Sequence, residues 1–146
     1  MNTTRIRTAS DSDASAIARL TVQLGYIASE ESIRARVQKI TTHSEQLLIV
    51  AQSGEQVCGW LQAHRAEVIE SGARVEILGL VVEEDKRRKG IGRLLVQRAE
   101  EWAQQFGVTV MVVRTNVTRI ESQPFYAALA YTLTKTQAVY RKSLSS

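Results

Sequence analysis

An α/β domain with a mixed central sheet is what this sequence predicts, with six or seven strands flanked by about four helices. Three observations carry the prediction. Residues 74–115 read as a buried strand, a long amphipathic helix and a second buried strand, which is the signature of a parallel crossover. The first 42 residues hold two clusters of N-cap residues, each followed by apolar residues at helical spacing. Between them and the crossover, strand-like runs are joined by glycine turns at Ser53-Gly54-Glu55 and Glu70-Ser71-Gly72.

Taken in order, Arg5 to Thr8 is a short strand. Ser10-Asp11-Ser12-Asp13 caps a helix through Ala14, Ile17, Leu20 and Leu24, ending near Gly25-Tyr26. Ser29-Glu30-Glu31-Ser32 caps a second helix, with Ile33, Val37 and Ile40 on one face up to about Thr42. Leu47 to Gln52 and Gln56 to about Val68 form a hairpin. Arg74 to Val82 follows, its apolar stretch expected to be buried on both faces. From Ile91, the positions Leu94, Leu95, Ala99, Trp102 and Phe106 mark one helix face, closed by Gly107. Val108 to Thr115 is a strand, Ser122 to Ala130 a short helix, and Tyr131 to Leu144 one or two closing strands. The order is β-α-α-β-β-β-α-β-α-β, with an optional last strand.

A length of 146 residues, without linker, repeat or low-complexity segment, predicts a single domain over 1–146. No apolar run approaches the ~20 residues that cross a bilayer. The polar start Met1-Asn2-Thr3-Thr4 lacks a signal-peptide core, so no membrane partner and a cytoplasmic location are expected. Cys58 is the only cysteine and excludes an intramolecular disulfide; inside an apolar strand pattern it reads as a small core residue. A net charge of +4 with 5% aromatic residues and no long basic stripe argues against a nucleic-acid partner. The one dense basic cluster, Lys86 to Lys89, asks for a small acidic ligand instead.

That cluster opens Arg87-Arg88-Lys89-Gly90-Ile91-Gly92, set between the strand ending Leu80-Val81-Val82 and the helical pattern. Two glycines one residue apart allow a tight turn that comes close to a ligand. The following helix aims its unpaired N–H groups and positive dipole end back at the turn. A phosphate or pyrophosphate is the ligand this chemistry prefers. A Walker A loop is excluded because the position five after Gly90 is Leu95. A dinucleotide fingerprint fails as well: Leu95 stands where its third small residue belongs, and Val110 to Val113 where its acid belongs.

Leu80-Val81-Val82 followed by Arg87-x-x-Gly90-x-Gly92 resembles the coenzyme A loop of the GNAT superfamily of N-acetyltransferases, and the element order is similar over nearly the whole chain. The resemblance implies acetyl-CoA as cosubstrate, with no metal. Leu80, Val81 and Val82 would pair with the pantetheine arm, and the amides of Arg88, Lys89, Gly90, Ile91, Gly92 and Arg93 would hold the pyrophosphate, helped by Arg87.

Amide formation from a thioester needs the thioester held, a base for the ammonium proton and an acid for the leaving thiolate. Glu76 stands eleven positions before Arg87, where relatives that use a strand glutamate as base carry it. Partial burial is expected to raise its pKa toward neutrality; a solvent-facing or Arg74-paired glutamate is the alternative. Asn116 with Phe125-Tyr126 and Tyr131 resembles the family segment in which the tyrosine hydroxyl reaches the thioester sulfur and the asparagine contacts pantetheine. A half-buried structural tyrosine is the alternative there. Two residues depart from the pattern: Ala130 replaces a glycine, and Ser122-Gln123-Pro124 replaces a histidine-bearing stretch.

Arg114-Thr115-Asn116-Val117-x-Arg119, Leu24-Gly25-Tyr26 and the Lys-x-Leu ending resemble small bacterial acetyltransferases acting on aminoalkylphosphonates and aminoglycosides. They imply direct transfer to a small primary amine, with Tyr26 on the acceptor wall or, alternatively, at a helix end packed on the core. His64 reads as a polar strand-face residue. A peptide amine, meaning an N-terminus or a lysine, is the rival substrate, and a non-catalytic coenzyme A-binding regulatory module is the rival class. Edge strands near the C-terminus are compatible with a homodimer.

Overall fold

The computed structural model describes residues 3–116 and 118–145; Met1, Asn2 and Val117 of the motifs above lie outside them. A division after Arg114 separates two compact units.

The first unit holds all the strands found among the described residues. They are β1 (Thr4–Thr8), β2 (Gln46–Ser53), β3 (Gln56–Val68), β4 (Gly72–Val82) and β5 (Met111–Val113). The sheet order is β1-β2-β3-β4-β5, antiparallel except for the β4–β5 pair, which is parallel as the crossover requires. Three helices accompany it: α1 (Ala14–Thr21), α2 (Glu30–Thr41) and α3 (Ile91–Gln105). A fourth, α4 (Ser122–Ala128), belongs to the second unit.

Local chemistry accounts for the boundaries. Ser29 caps α2 by accepting from Ser32 N–H at 3.1 Å, and Asp13 accepts from Ser10 N–H at 2.8 Å before α1. Asp13 is buried and clamped by both Arg7 nitrogens at 2.8 Å, which joins β1 to the start of α1. The first helix ends earlier than expected, at Thr21, and passes through a 3-10 turn to Gly25 in a left-handed conformation (φ 87°).

Side chains alternate across the sheet. Leu48, Val50, Trp60 and Val81 pack with Ala14, Ile17 and Leu20 of α1 and Ile33 and Val37 of α2. The opposite face meets α3, whose buried residues are Ile91, Leu95, Val96, Ala99 and Ala103. This corrects the expected stripe: Leu94 is exposed, since the ridge facing the sheet runs through the neighbouring Leu95 and its i+4 partners. Cys58 is buried in the core, and burial pushes its thiol pKa up.

Two strand expectations are corrected. β4 is continuously buried only over Val75, Glu76 and Ile77, where β5 covers its edge; beyond them Val81 alone is buried, on the face that meets α1 and α2. Tyr131 to Leu144 forms no strand among the described residues, so the sheet has five strands rather than six or seven. Its sequence alternates, but Leu133, Val139, Tyr140 and Leu144 are all exposed. Without a buried face, nothing selects a register. Among the described residues no helix is long and apolar enough to cross a membrane.

Candidate active site

β4 organises the site. On one side it is zipped to β3 throughout, from Val68↔Gly72 to Gly59↔Val82. On the other, β5 pairs only with Val75, Glu76 and Ile77. From Leu78 to Val82 the β5-side edge of β4 is therefore open among the described residues, its outward N–H and C=O groups without a strand partner. The parting begins at a β-bulge. Gln62 faces Gly79 while Ala63 faces Ile77, so Leu78 is the extra residue, and it is exposed. Gly79 is required there: a Cβ would stand 2.7 Å from the Trp60 ring.

The open edge leads into the predicted anion loop. Glu83 N–H donates to Cys58 carbonyl at 2.7 Å, and Arg19 holds the Glu83 carboxylate at 2.6 Å, which fixes where β4 ends. A 3-10 turn over Glu84–Lys86 follows. Arg88 (φ 67°) and Gly90 (φ 79°) are both left-handed, and such alternation turns backbone N–H groups into a concave anion nest. The first α-helical bond of α3 is Leu94 N–H to Gly90 carbonyl, 3.0 Å, so the N–H groups of Ile91, Gly92 and Arg93 have no acceptor within the helix. A side chain at Gly90 would meet nothing within 4 Å, leaving room for a ligand. Arg88, Lys89 and Arg93 are exposed at the same place. This loop and strand edge fit a pyrophosphate joined to an amide-bearing arm. Arg87 takes a bracing role in this structure, donating to Val82 carbonyl at 3.2 Å and Gln23 Oε1 at 2.9 Å.

Glu76 is 8% exposed and faces His64 directly across the β3–β4 ladder. Arg74 Nε donates to Oε1 at 2.8 Å, Arg114 Nη1 donates to Oε2 at 2.7 Å, and His64 Nε2 lies 3.6 Å from Oε2. Burial pushes the Glu76 pKa up, but the Arg74 hydrogen bond and the Arg114 and Arg74 charges outweigh it and hold the carboxyl below its ordinary value. The expected rise toward neutrality is thus corrected: Glu76 is ionised at neutral pH. Sequence reasoning named Arg74 only as an alternative partner and gave Arg114 no role beside Glu76. The signal available was an arginine directly after the apolar run Val110 to Val113, in the strand expected to pair with the one that carries Glu76.

The remaining expected residues are placed as follows. Tyr26 is exposed in the segment before α2, whereas Leu24 packs on the core. In the second unit, Tyr126 lies on α4, with ring centroids 4.9 Å from Phe125 and 5.7 Å from Tyr131. Burial pushes its phenol pKa up to about 12. Asn116 Oδ1 accepts from Thr118 N–H at 3.0 Å and Thr118 Oγ1 at 2.8 Å, which commits the oxygen to its own turn and leaves Nδ2 as donor. Ala130 adopts φ 70° despite its Cβ, closing α4 in the geometry a glycine would supply. Among the described residues no cluster of His, Cys, Asp or Glu could hold a metal ion.

Comparison with known proteins adds independent findings. The profile of the acetyltransferase (GNAT) family matches residues 15–131. An aminoglycoside N(6')-acetyltransferase type 1 of Serratia marcescens is 33% identical over 66 residues, 45% of this chain and 45% of that protein. An N-acetyltransferase of Chlorobaculum tepidum, named as uncharacterized, is 33% identical over 113 residues, 77% of this chain and 68% of that protein. The structure of an aminoglycoside N-acetyltransferase in complex with CoA superposes with a TM-score of 0.87 at 20% identity, covering 97% of this chain and 96% of that one. The match to the Serratia protein thus spans less than half of that relative's length.

Proposed function

The chain belongs to the acetyltransferase (GNAT) family, and we propose that it transfers the acetyl group of acetyl-CoA directly to the primary amine of a small molecule. The observation that carries the reading is the open edge of β4 from Leu78 to Val82, running into the left-handed loop and the unpaired N–H groups of Ile91, Gly92 and Arg93. One end is built for an amide-rich arm and the other for a pyrophosphate. The domain is taken as one functional piece over 1–146, in keeping with a family profile that runs through both units.

In this reading Leu80, Val81 and Val82 pair with the pantetheine arm, which leads the thioester back toward the bulge at Leu78. The neutral amine attacks the carbonyl carbon; a C–N bond forms and the C–S bond breaks. Tyr126 gives its proton to the departing sulfur, a task suited to a phenol that burial keeps protonated, with its pKa pushed up to about 12. The ammonium loses one proton to water before it attacks, and the second proton, shed by the nitrogen once the C–N bond has formed, returns through water to Tyr126, so one proton is released overall. Glu76 is the carboxylate on the acceptor side and takes that proton onward only through water, since Arg74 and Arg114 keep it ionised. The same guanidinium charges disfavour an ammonium beside them and so favour the nucleophilic, neutral amine. Asn116 contributes Nδ2 to the arm, and Tyr26 lines the acceptor approach.

A small acceptor is supported by the likeness to the Serratia aminoglycoside enzyme. A second copy of the chain as partner is supported by the exposed apolar residues Leu133, Val139 and Tyr140. The test is turnover: purified protein with acetyl-CoA and a panel of primary amines, following release of the coenzyme A thiol. Amine-dependent release is expected. Tight binding of intact acetyl-CoA with no release to any amine or lysine peptide would replace this reading with a non-catalytic binding module.

A further inference from the structure

We propose that the amine substrate also carries an anionic group, a carboxylate, phosphonate or phosphate, which is held by Arg114 where β4 and β5 part. The inference rests on the acetyl-transfer reading above and names the substrate class of that same site.

The charges around Glu76 do not cancel. Arg74 and Arg114 bring two positive charges to one carboxylate, a surplus of one before His64 is counted. The two arginines are not equivalent. Arg74 spends both Nε and Nη2 on Glu76 Oε1 and is largely buried. Arg114 donates from Nη1 alone among the described residues, and its side chain is 52% exposed. Its remaining N–H groups form a planar fork suited to two oxygens of one anion. Glu76 fixes the guanidinium from behind, so little side-chain freedom is lost when an anion docks.

Position makes this charge relevant to the reaction. Arg114 immediately follows Val113, the last residue of β5 paired with β4, opposite Ile77. The open edge of β4 starts at the next residue, the bulged Leu78. A thioester drawn along that edge ends beside Leu78, with the Arg114 fork at the mouth of the same opening. An amine attacking there has its own substituents within reach of the guanidinium. A substrate with several ammonium groups would meet repulsion from the surplus charge, whereas one with an anionic tail would be attracted and oriented.

The experiment measures kcat/KM for three amines by coenzyme A release: 2-aminoethyl phosphate, 2-aminoethanol and the polycation spermidine. Calorimetric titration of acetyl-CoA runs on the same preparations. At least a tenfold preference for the phosphate over the alcohol is expected, with spermidine the poorest. Arg114→Gln should collapse the phosphate-to-alcohol ratio toward one, chiefly through KM, and Arg114→Lys should retain part of it. If Arg114→Gln does not fold, the wild-type ratio and the lysine variant still decide. Preference for aminoethanol or spermidine, an unchanged ratio in the variants, or no transfer to the phosphate by a protein that binds acetyl-CoA would each overturn this inference alone. A protein that does not bind acetyl-CoA would overturn the acetyl-transfer reading and this inference with it.

Discussion

Arg114 and Glu76 are 38 positions apart in the chain, yet the arginine Nη1 donates to the carboxylate Oε2 at 2.7 Å in a partly buried pair. With Arg74 on the other oxygen, the carboxylate becomes a hub holding two guanidiniums at the point where β4 and β5 separate. A depressed pKa in the folded state ties this hub to stability. Its contribution is fully present above the ordinary carboxylate range and is lost as pH falls through the depressed folded value. Glu76→Gln should therefore cost about 1–3 kcal/mol near neutrality. Urea unfolding at a series of pH values should show this gap shrinking toward acid; a gap that widens toward acid would contradict the hub.

Tyr126 should separate binding from turnover. Removing its hydroxyl takes away the proposed proton donor but leaves the β4 edge and the loop intact, so Tyr126→Phe should lower kcat by about a hundredfold with the acetyl-CoA Kd unchanged. A phenol pushed up to about 12 also predicts no loss of rate from its ionisation at ordinary alkaline pH. Full activity in the variant would remove Tyr126 from the chemistry.

Ala130 occupies a left-handed conformation at φ 70°, with Tyr131 N–H donating to Tyr126 carbonyl at 2.9 Å. An L residue there is disfavoured by about 1 kcal/mol relative to glycine. Ala130→Gly should raise the unfolding temperature slightly despite the greater freedom it gives the unfolded chain. A clear fall in Tm would mean that this turn is not strained.

Gly79 and Trp60 test the bulge. A Cβ at Gly79 would lie 2.7 Å from the Trp60 ring, itself buried with its Nε1 unpartnered. Gly79→Ala should destabilise by about 1–3 kcal/mol through overpacking. Trp60→Phe, which offers a smaller ring, should recover part of that loss in the double variant. Additive effects of the two substitutions would show that the contact does not limit the strand.

Much of this organisation was legible in the sequence because its determinants are local. Gly90 and Gly92, the capping Ser29 and the periodicity of residues 91 to 105 each act within a few positions of themselves, and the loop, α2 and α3 lie where they predict. Pairing partners are a different matter. The ionisation of Glu76 depends on the hydrogen bonds and charges of Arg74 and of Arg114, which lies just past the end of β5, so a burial argument alone gave the wrong sign. The shortness of β5 and the absence of closing strands over residues 131–144 likewise depend on what lies alongside, which alternation alone does not report. Ala130 shows the converse: tertiary context imposes a left-handed turn on a residue whose propensity opposes it.

Calorimetric titration of acetyl-CoA into the native protein, Gly90→Ala and Gly90→Glu tests the central claim most directly. Gly90 has φ 79° and open space beyond it, so alanine introduces only backbone strain, whereas glutamate places a carboxylate where the pyrophosphate would lie. The account predicts binding by the native chain, weakened in the alanine variant and abolished in the glutamate variant. Native-like affinity in Gly90→Glu would contradict the assignment of the loop, and no binding by the native chain would contradict the acetyl-CoA reading as a whole.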